Sequence, residues 1–291
     1  MYARAVAATT TAILGTAALL TPLSAAEARA GEVDRPTVVA HRGASAYAPE
    51  NTLASIDEAA ELGFTWVEND VQRTKDGELV VIHDDSLRRT TDVEKVFPDR
   101  APWKVKDFTA AEIARLDAGS WFSPAYAGTR VPTLEQYMRR VEHNHEKLLL
   151  EIKNPELYPG IEQQTLKLLG NEGWLGPRHR DGLIVQSFSA DSVRTVHELR
   201  PAVTTAYLGR PPVGELPEYA RFVDLINPSY GSISGAYVSA VHTFTGPHGR
   251  TLGVFAWTVD DPATAWQVTG YGVDGVITNR PDVVRAALGT D

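Results

Sequence analysis

Short apolar runs alternate with amphipathic stretches along most of this chain, and that alternation limits the possible folds more than any other feature. The runs have the length of strands, and the stretches between them carry apolar residues at helical spacing. The predicted strands are Thr37–Ala40, Trp66–Val71, Leu79–His83, Lys147–Ile152, Leu183–Val185, Val203–Leu208, Phe222–Ile226, Leu252–Val259 and Val276–Thr278. The predicted helices are Thr52–Leu62, Ala110–Leu116, Thr133–Val141, Ile161–Leu169, Asp191–Leu199, Gly235–Val241, Ala263–Val268 and Val283–Leu288. Strands separated by helices pair in parallel, because a parallel pair needs a long crossover connection.

A closed barrel explains this pattern better than an open sheet. Eight or nine strands over about 260 residues fit an α/β fold of the (β/α)₈ TIM-barrel type. An open doubly wound sheet is the alternative, but no Gly-x-Gly-x-x-Gly fingerprint follows the first strand, which counts against a dinucleotide-binding fold. The rhythm breaks at residues 85–130, which are rich in Pro, Trp, Phe and charge. We therefore expect one domain over residues 31–291, a barrel distorted by a small inserted segment after the second or third strand.

The first thirty residues have the pattern of a secretory signal peptide. Arg4 supplies a short positive region, and residues 5–20 are apolar and uncharged. Small-x-small sequences at residues 26–28 and 28–30 fit a cleavage site near Ala30. A membrane anchor is the weaker alternative, because the run is shorter than the roughly 20 residues of a spanning helix. The pattern predicts a secreted protein with no stable membrane span.

Charge and cysteine content exclude several classes of function. The formal net charge is −9, from 28 Lys and Arg against 37 Asp and Glu. An acidic chain without a basic run has no electrostatic reason to bind nucleic acid or anionic membranes. The chain has no cysteine, so disulfides, thiolate-bound zinc and a cysteine nucleophile are excluded. A small molecule remains as the expected binding partner, and the oligomeric state is left open.

Two carboxylates and a histidine are predicted to share one face of a hairpin. Glu68 and Asp70 alternate along a strand and therefore point to the same side. Asp76-Gly77 is a strong hairpin signal, and counting back equally from that turn places His83 opposite Asp70. Directly opposed residues share a face, with their Cβ atoms about 5 Å apart. On this register His83 lies beside both carboxylates.

Other polar residues end predicted strands. His41 follows the first strand, Glu151 lies near the end of KLLLEI, and Lys153 comes two residues later on the same face. Active sites of barrels lie at the C-terminal ends of the strands. A carboxylate after three leucines is costly in a core unless it is paired or bound to a metal. Lys153 could simply neutralise Glu151, but the shared strand-end placement favours one functional site.

A divalent cation would suit the acidic residues. Glu68, Asp70 and Glu151 would repel one another without a positive charge between them. Oxygen ligands alone favour a hard ion, Mg²⁺ or Ca²⁺. Zinc with histidine ligands is the second choice.

With these residues in place, the chain resembles the glycerophosphodiester phosphodiesterases over about residues 36–285. No single motif is decisive, but all of them occur in the family's order and spacing. The motifs are His41-Arg42-Gly43, Pro49-Glu50-Asn51-Thr52, Glu68-x-Asp70, His83-Asp84, Arg89-Thr90-Thr91, Leu116-Asp117-Ala118-Gly119-Ser120-Trp121-Phe122, Val131-Pro132-Thr133-Leu134, Glu151-Ile152-Lys153, Gln186-Ser187-Phe188, Ala256-Trp257-Thr258 and Thr278-Asn279-Arg280-Pro281.

The resemblance implies a metal-dependent hydrolase that cleaves glycerophosphodiesters to glycerol 3-phosphate and an alcohol. It implies His41 and His83 as the acid–base pair, and Arg42 and Lys153 as phosphate-binding residues. It also implies that Trp257 lines the substrate pocket. The implied metal ligands are Glu68, Asp70 and Glu151.

Three other functions stay open at this point. One is a phospholipase D-like enzyme, and another is an enzyme that cleaves lysophospholipids. The third is a secreted barrel that binds a phosphodiester without turning it over. The His41 and His83 pair argues against this last alternative, since binding alone needs no second proton-transfer group.

Overall fold

Eight parallel strands close into a barrel in the part of the chain that the computed structural model describes, residues 1–2 and 35–289. A ninth strand is attached to it as an antiparallel hairpin arm. The strands are β1 (Thr37–Ala40), β2 (Trp66–Arg73), β3 (Leu79–Val81), β4 (Lys147–Ile152), β5 (Leu183–Ser187), β6 (Thr204–Leu208), β7 (Leu225–Asn227), β8 (Gly253–Ala256) and β9 (Gly275–Thr278). The signal peptide predicted for residues 1–30 lies outside the described residues, apart from its first two.

Closure of the barrel depends on β1. This strand pairs in parallel with β9 over its whole length and with β2 where Ala40 lies opposite Val67. The remaining parallel strands follow in the order β9, β8, β7, β6, β5, β4, β2. The predicted TIM-type barrel is therefore confirmed. An open sheet is excluded, because it would have two unpaired edges, whereas β1 pairs on both sides.

Helices cover the outside of the barrel and connect its strands. They are α1 (Leu53–Glu61), α2 (Val93–Val96), α3 (Ala110–Ile113), α4 (Leu134–His143), α5 (Ile161–Asn171), α6 (Ala190–Leu199), α7 (Leu216–Tyr219), α8 (Gly235–Val241), α9 (Pro262–Gly270) and α10 (Pro281–Leu288). Short 3-10 turns lie at Pro98–Arg100, Val105–Asp107, Pro124–Tyr126, Pro155–Leu157, Pro177–His179, Val213–Glu215 and Tyr230–Ser232. Thr52 and Thr133 start α1 and α4 as N-caps, because each side chain accepts a hydrogen bond from the backbone NH three residues later. None of these helices is long and apolar enough to cross a membrane.

The apolar residues separate into three layers. One fills the barrel interior and includes Val39, Leu149 and Ile277. A second lies between the outer faces of the strands and the helices. The third belongs to the inserted segment between β3 and α4, where Leu87, Phe108 and other side chains bury one another against Val80 and Ile82 of the hairpin. The inserted segment is thus a packed extension of the barrel, as its sequence predicts.

Several predicted strands are longer than the strands in the structure. The largest differences are at Phe222–Ile226, where β7 begins only at Leu225, and at Leu252–Val259, which is reduced to β8. Phe222, Leu252 and Val259 are still buried, but in the layer between strands and helices. An apolar run in the sequence indicates buried residues. Residues beyond the end of a strand can also be buried without pairing with a neighbouring strand.

The predicted register of the β2–β3 hairpin is wrong by one residue. Val71 pairs with Val81 and Arg73 with Leu79, so the position opposite His83 belongs to Asn69 rather than to Asp70. The reason lies in the loop, which has three residues (75–77) and not two: Thr74 donates its backbone NH to Glu78. Gly77 at the end of this loop has φ +94°, which is typical of a three-residue hairpin with a glycine bulge.

Candidate active site

Three buried carboxylates meet at the C-terminal end of the barrel strands. Asp70 on β2 is the register partner of Glu151 on β4, so both side chains enter the barrel side by side. Glu68 lies two residues before Asp70 on the same face, and Glu68 is only 1% exposed. One ligand oxygen from each of the three lies within 4.8 Å of the others. The arrangement predicted from strand alternation is therefore present.

The surroundings of this trio shift the pKa values of its members in opposite directions. Burial, followed by the charges of Asp70 and Glu151, raises the pKa of Glu68 well above its usual value. Burial and Asp70 likewise raise the pKa of Glu151 to about 8. Burial would also raise that of Asp70, but Arg42 and Lys153 outweigh it and lower the pKa to about 2. Without a cation, the cluster thus holds one permanent negative charge and tends to keep protons on the other two carboxyls.

A divalent ion fits this cluster. Its donors are all oxygens, which Mg²⁺ and Ca²⁺ prefer. Asp70 Oδ1 is buried and makes no hydrogen bond among the described residues, so a ligand position is open. Asn51 donates Nδ2 to the other oxygen, Asp70 Oδ2, at 2.7 Å, which holds the carboxylate in place. The trio could therefore hold a metal ion.

We predict that metal binding releases protons. Below about pH 8 the Glu151 carboxyl is mostly protonated in the metal-free protein, and a cation must displace that proton. Metal affinity should accordingly rise as the pH increases through about 8, and the raised pKa of Glu68 adds to the same trend. Calorimetric titration in buffers of different ionisation enthalpy measures the released protons. Binding heats independent of the buffer would contradict the prediction.

His41 is held by Asn279, which comes from the opposite end of the sequence. The Nδ1 atom of His41 lies 2.7 Å from Asn279 Oδ1. Asp260 fixes the orientation of that amide by accepting a hydrogen bond from its Nδ2 atom at 2.7 Å. Because an amide oxygen only accepts, Nδ1 carries the proton and Nε2 is left with a lone pair, 3.9 Å from Glu68 Oε2. Burial and the charge of Arg42 lower the pKa of His41 to about 4, so the imidazole is neutral at pH 7.

His83 reaches the pocket, but not by the predicted cross-strand pairing. The strand β3 ends at Val81, and the chain then turns. Gln72 braces that turn by placing its Nε2 atom within 3.0 Å of the carbonyl oxygens of Ile82 and His83 and 2.6 Å from that of Asp84. The His83 ring is itself held by Asp84, whose Oδ1 lies 2.7 Å from Nδ1. The hydrogen bonds from His83 and from Arg89 lower the pKa of Asp84 below its usual value.

Arg42 reaches the trio from a tight bend at the end of β1. Its backbone NH donates to Glu68 Oε2 at 2.9 Å, and its Nε atom lies 3.3 Å from Asp70 Oδ2. The bend needs the next residue to be glycine. Gly43 has φ +78°, and a Cβ there would lie 2.5 Å from the carbonyl oxygen of Ser55. The His-Arg-Gly motif therefore has a backbone reason as well as a chemical one.

Lys153 and Trp257 complete the pocket. Lys153 Nζ lies 2.8 Å from Glu151 Oε1 and 3.6 Å from Asp70 Oδ1, so it contacts both carboxyl groups while it also lines the cavity. The Trp257 ring packs edge-to-face on Phe188 at 5.6 Å between centroids. The cavity has a volume of about 70 Å³, and its wall contains every predicted site residue except Asp70, which lies just behind it. The lining residues are His41, Arg42, Glu68, His83, Glu151, Lys153, Gln186, Phe188, Leu208, Trp257, Thr258 and Ile277.

Residues 41–283 match the model of the glycerophosphoryl diester phosphodiesterase family. The chain belongs to this family. A glycerophosphodiester phosphodiesterase of Bacillus subtilis is 36% identical over 281 residues, which cover 91% of each chain. Another from Caldanaerobacter subterraneus is 35% identical over 250 residues, covering 85% of this chain and 95% of the relative. The structure of an Oleispira antarctica phosphodiesterase in complex with the product sn-glycerol-3-phosphate matches with a TM-score of 0.74. It is 28% identical, and the match covers 88% of this chain and 97% of that one.

In this member of the glycerophosphoryl diester phosphodiesterase family, several residues that hold the site together are not among the predicted site residues. Asn51 donates a hydrogen bond to Asp70, and Glu50 accepts one from Arg42 at 2.9 Å. Asn279 and Asp84 orient the two histidines. The only available signal was their position inside motifs that the chain shares with the family.

Proposed function

We propose that this protein hydrolyses glycerophosphodiesters to glycerol 3-phosphate and an alcohol, in a reaction that depends on Mg²⁺ or Ca²⁺. One observation carries the proposal: two histidines with different partners line the same small cavity as a buried acidic trio and two cationic side chains. Family membership supports the reaction class. Zinc is the second choice of metal. Two histidines lie nearby as potential zinc ligands, but their Nδ1 atoms are hydrogen-bonded to other groups.

His41 acts as the base in this proposal. It is neutral at pH 7 and presents Nε2 with a free lone pair, because Asn279 engages Nδ1. It removes the proton from the glycerol hydroxyl next to the phosphate. That oxygen then attacks phosphorus, and the bond from phosphorus to the alcohol oxygen breaks. A water molecule activated directly is the competing route.

His83 acts as the acid. Asp84 engages its Nδ1 and balances the charge of the imidazolium, so Nε2 can deliver a proton to the departing alcohol oxygen. Attack by the neighbouring hydroxyl yields a cyclic phosphate. Water opens it to glycerol phosphate with the two histidines in exchanged roles, His83 accepting a proton and His41 returning one.

Charge on the phosphate is balanced by the protein and by the ion. Arg42 and Lys153 place two cations at the cavity wall, and both are anchored on the acidic trio. A bound divalent ion would add positive charge that stabilises the phosphate oxygens in the transition state. Trp257 bounds the pocket on the far side and fits against an apolar part of the substrate.

The reaction is tested by incubating the purified protein with glycerophosphocholine and divalent ion and measuring glycerol 3-phosphate enzymatically. We expect release of glycerol 3-phosphate and choline in equal amounts. A panel of head groups, lysolipids and a teichoic acid-type polymer would identify the alcohol. Release of choline from phosphatidylcholine, with phosphatidic acid as the other product and no turnover of glycerophosphocholine, would favour a phospholipase D-like enzyme. Turnover of lysolipids alone would favour a lysophospholipid-cleaving enzyme, and binding without any product would favour the binding barrel.

Secretion is part of the same proposal. Residues 1–30 combine a positive start, an apolar run and small-x-small cleavage sequences, which support export and cleavage near Ala30. The mature protein would then act outside the cell. N-terminal sequencing of protein recovered from the culture medium should give Gly31 as the first residue. Recovery of the uncleaved chain from the cell fraction alone would argue against export.

A further inference from the structure

Arg89 joins two carboxylates that belong to different parts of the site. Its Nε and Nη2 atoms lie 2.7 Å and 3.0 Å from the two oxygens of Asp84. Its Nη1 and Nη2 atoms lie 2.8 Å and 2.7 Å from the two oxygens of Glu50. Each carboxylate is therefore bound through both of its oxygens by one planar guanidinium, a geometry that an ammonium group cannot reproduce.

Each of these carboxylates holds one functional side chain. Asp84 engages His83 Nδ1 at 2.7 Å. Glu50 accepts a hydrogen bond from Arg42 Nη1 at 2.9 Å. Arg89 belongs to the inserted segment, yet it makes no direct contact with the cavity wall.

We infer that Arg89 is a positioning residue that sets His83 and Arg42 at the same time, one through Asp84 and the other through Glu50. The inference rests on the proposed function, because it assumes that His83 protonates the leaving alcohol and that Arg42 binds phosphate. It gives the inserted segment a role in catalysis beyond covering the hairpin.

Exposure argues against a purely structural role for this network. The Arg89 side chain is 44% exposed, and single ion pairs at that exposure contribute little to folding stability, although a bidentate network contributes more. The neighbouring Arg88 provides a matched control. It is 66% exposed and bonds Glu94 at 2.9 Å within the inserted segment.

The test compares Arg89→Gln with Arg88→Gln on two substrates. Glycerophosphocholine has a poor leaving group that needs a proton, whereas the p-nitrophenyl ester of glycerol 3-phosphate releases a stable anion that does not. Arg89→Gln should lower kcat on glycerophosphocholine by about 10²-fold, and it should lower the single-turnover rate of nitrophenolate release from the p-nitrophenyl ester much less. KM should rise on both substrates, because Arg42 is no longer held. Arg88→Gln should match wild type throughout, and both variants should be fully folded at the assay temperature.

Single-branch variants separate the two effects. Asp84→Asn should lower kcat on glycerophosphocholine without raising KM, whereas Glu50→Gln should raise KM without that loss of kcat. Arg89→Lys should behave like Arg89→Gln, because an ammonium cannot bridge both carboxylates. The inference would be overturned if Arg89→Gln lost equally in kcat on glycerophosphocholine and in the rate of nitrophenolate release, or if its kinetics were those of wild type. Failure of the proposed function is recognised separately, since wild type would then not turn over either ester.

Discussion

Replacing His41 or His83 with alanine should lower kcat/KM for glycerophosphocholine by about 10²- to 10⁴-fold. One imidazole accepts a proton and the other donates one in the transition state, and no other described side chain in the cavity wall presents a free nitrogen base. The folded structure should survive, since both rings lie at the surface of the cavity and not in the barrel core. Steady-state kinetics together with circular dichroism would measure both properties.

The two histidines should differ in one respect. On the p-nitrophenyl ester the His83→Ala variant should recover much of the rate of nitrophenolate release in a single turnover, because nitrophenolate leaves without a proton in the first step. The His41→Ala variant should not recover, because the base is still required. His143→Ala is a suitable control, since His143 is exposed at the end of α4. If His41→Ala alone were rescued by the activated ester, the roles of acid and base would be reversed.

Removing the divalent ion should abolish activity, and returning Mg²⁺ or Ca²⁺ should restore it. The trio of Glu68, Asp70 and Glu151 places one oxygen from each of three carboxyl groups within 4.8 Å, and a cation allows all three to ionise together. Glu151→Gln should lower kcat/KM by at least about 10²-fold, because losing several kcal/mol of transition-state stabilisation corresponds to that factor. Activity after EDTA treatment and after re-addition of the ion tests the metal requirement. Steady-state kinetics of Glu151→Gln measures its kcat/KM, and calorimetric metal titration measures its metal affinity.

A matched control for the metal prediction is Glu198→Gln on the exposed end of α6. It removes the same charge from the chain but lies outside the site, so it should keep both metal affinity and rate. Full activity in excess EDTA would exclude the metal from the mechanism. Tight metal binding by Glu151→Gln would instead remove Glu151 from the ligand set.

Much of the fold and the composition of the site can be predicted from periodicity. The (β/α)₈ barrel follows from strands that alternate with helices, and the shared face of Glu68 and Asp70 follows from the two-residue period of a strand. The hairpin register does not follow in the same way. A two-residue and a three-residue loop around Gly77 leave nearly the same sequence pattern, but they shift every cross-strand pair by one.

The hydrogen-bond partners of the proposed site residues cannot be predicted from the sequence, for a related reason. Asn279 meets His41 across 238 residues of chain, and only closure of the barrel between β1 and β9 brings the two together. Arg89 meets Glu50 because the inserted segment folds back over the start of α1. A single sequence contains no periodic signal for either contact.

Periodicity in the sequence is sufficient to predict that two histidines, three carboxylates and two cations lie at the strand ends of one barrel. It carries that information because it indicates which face of each element is buried. Three properties follow only from the folded chain: which nitrogen of His41 is free, how His83 reaches the pocket and which guanidinium contacts both Asp84 and Glu50. Those properties depend on distances between elements that are far apart in the chain, and these distances are set when the barrel closes.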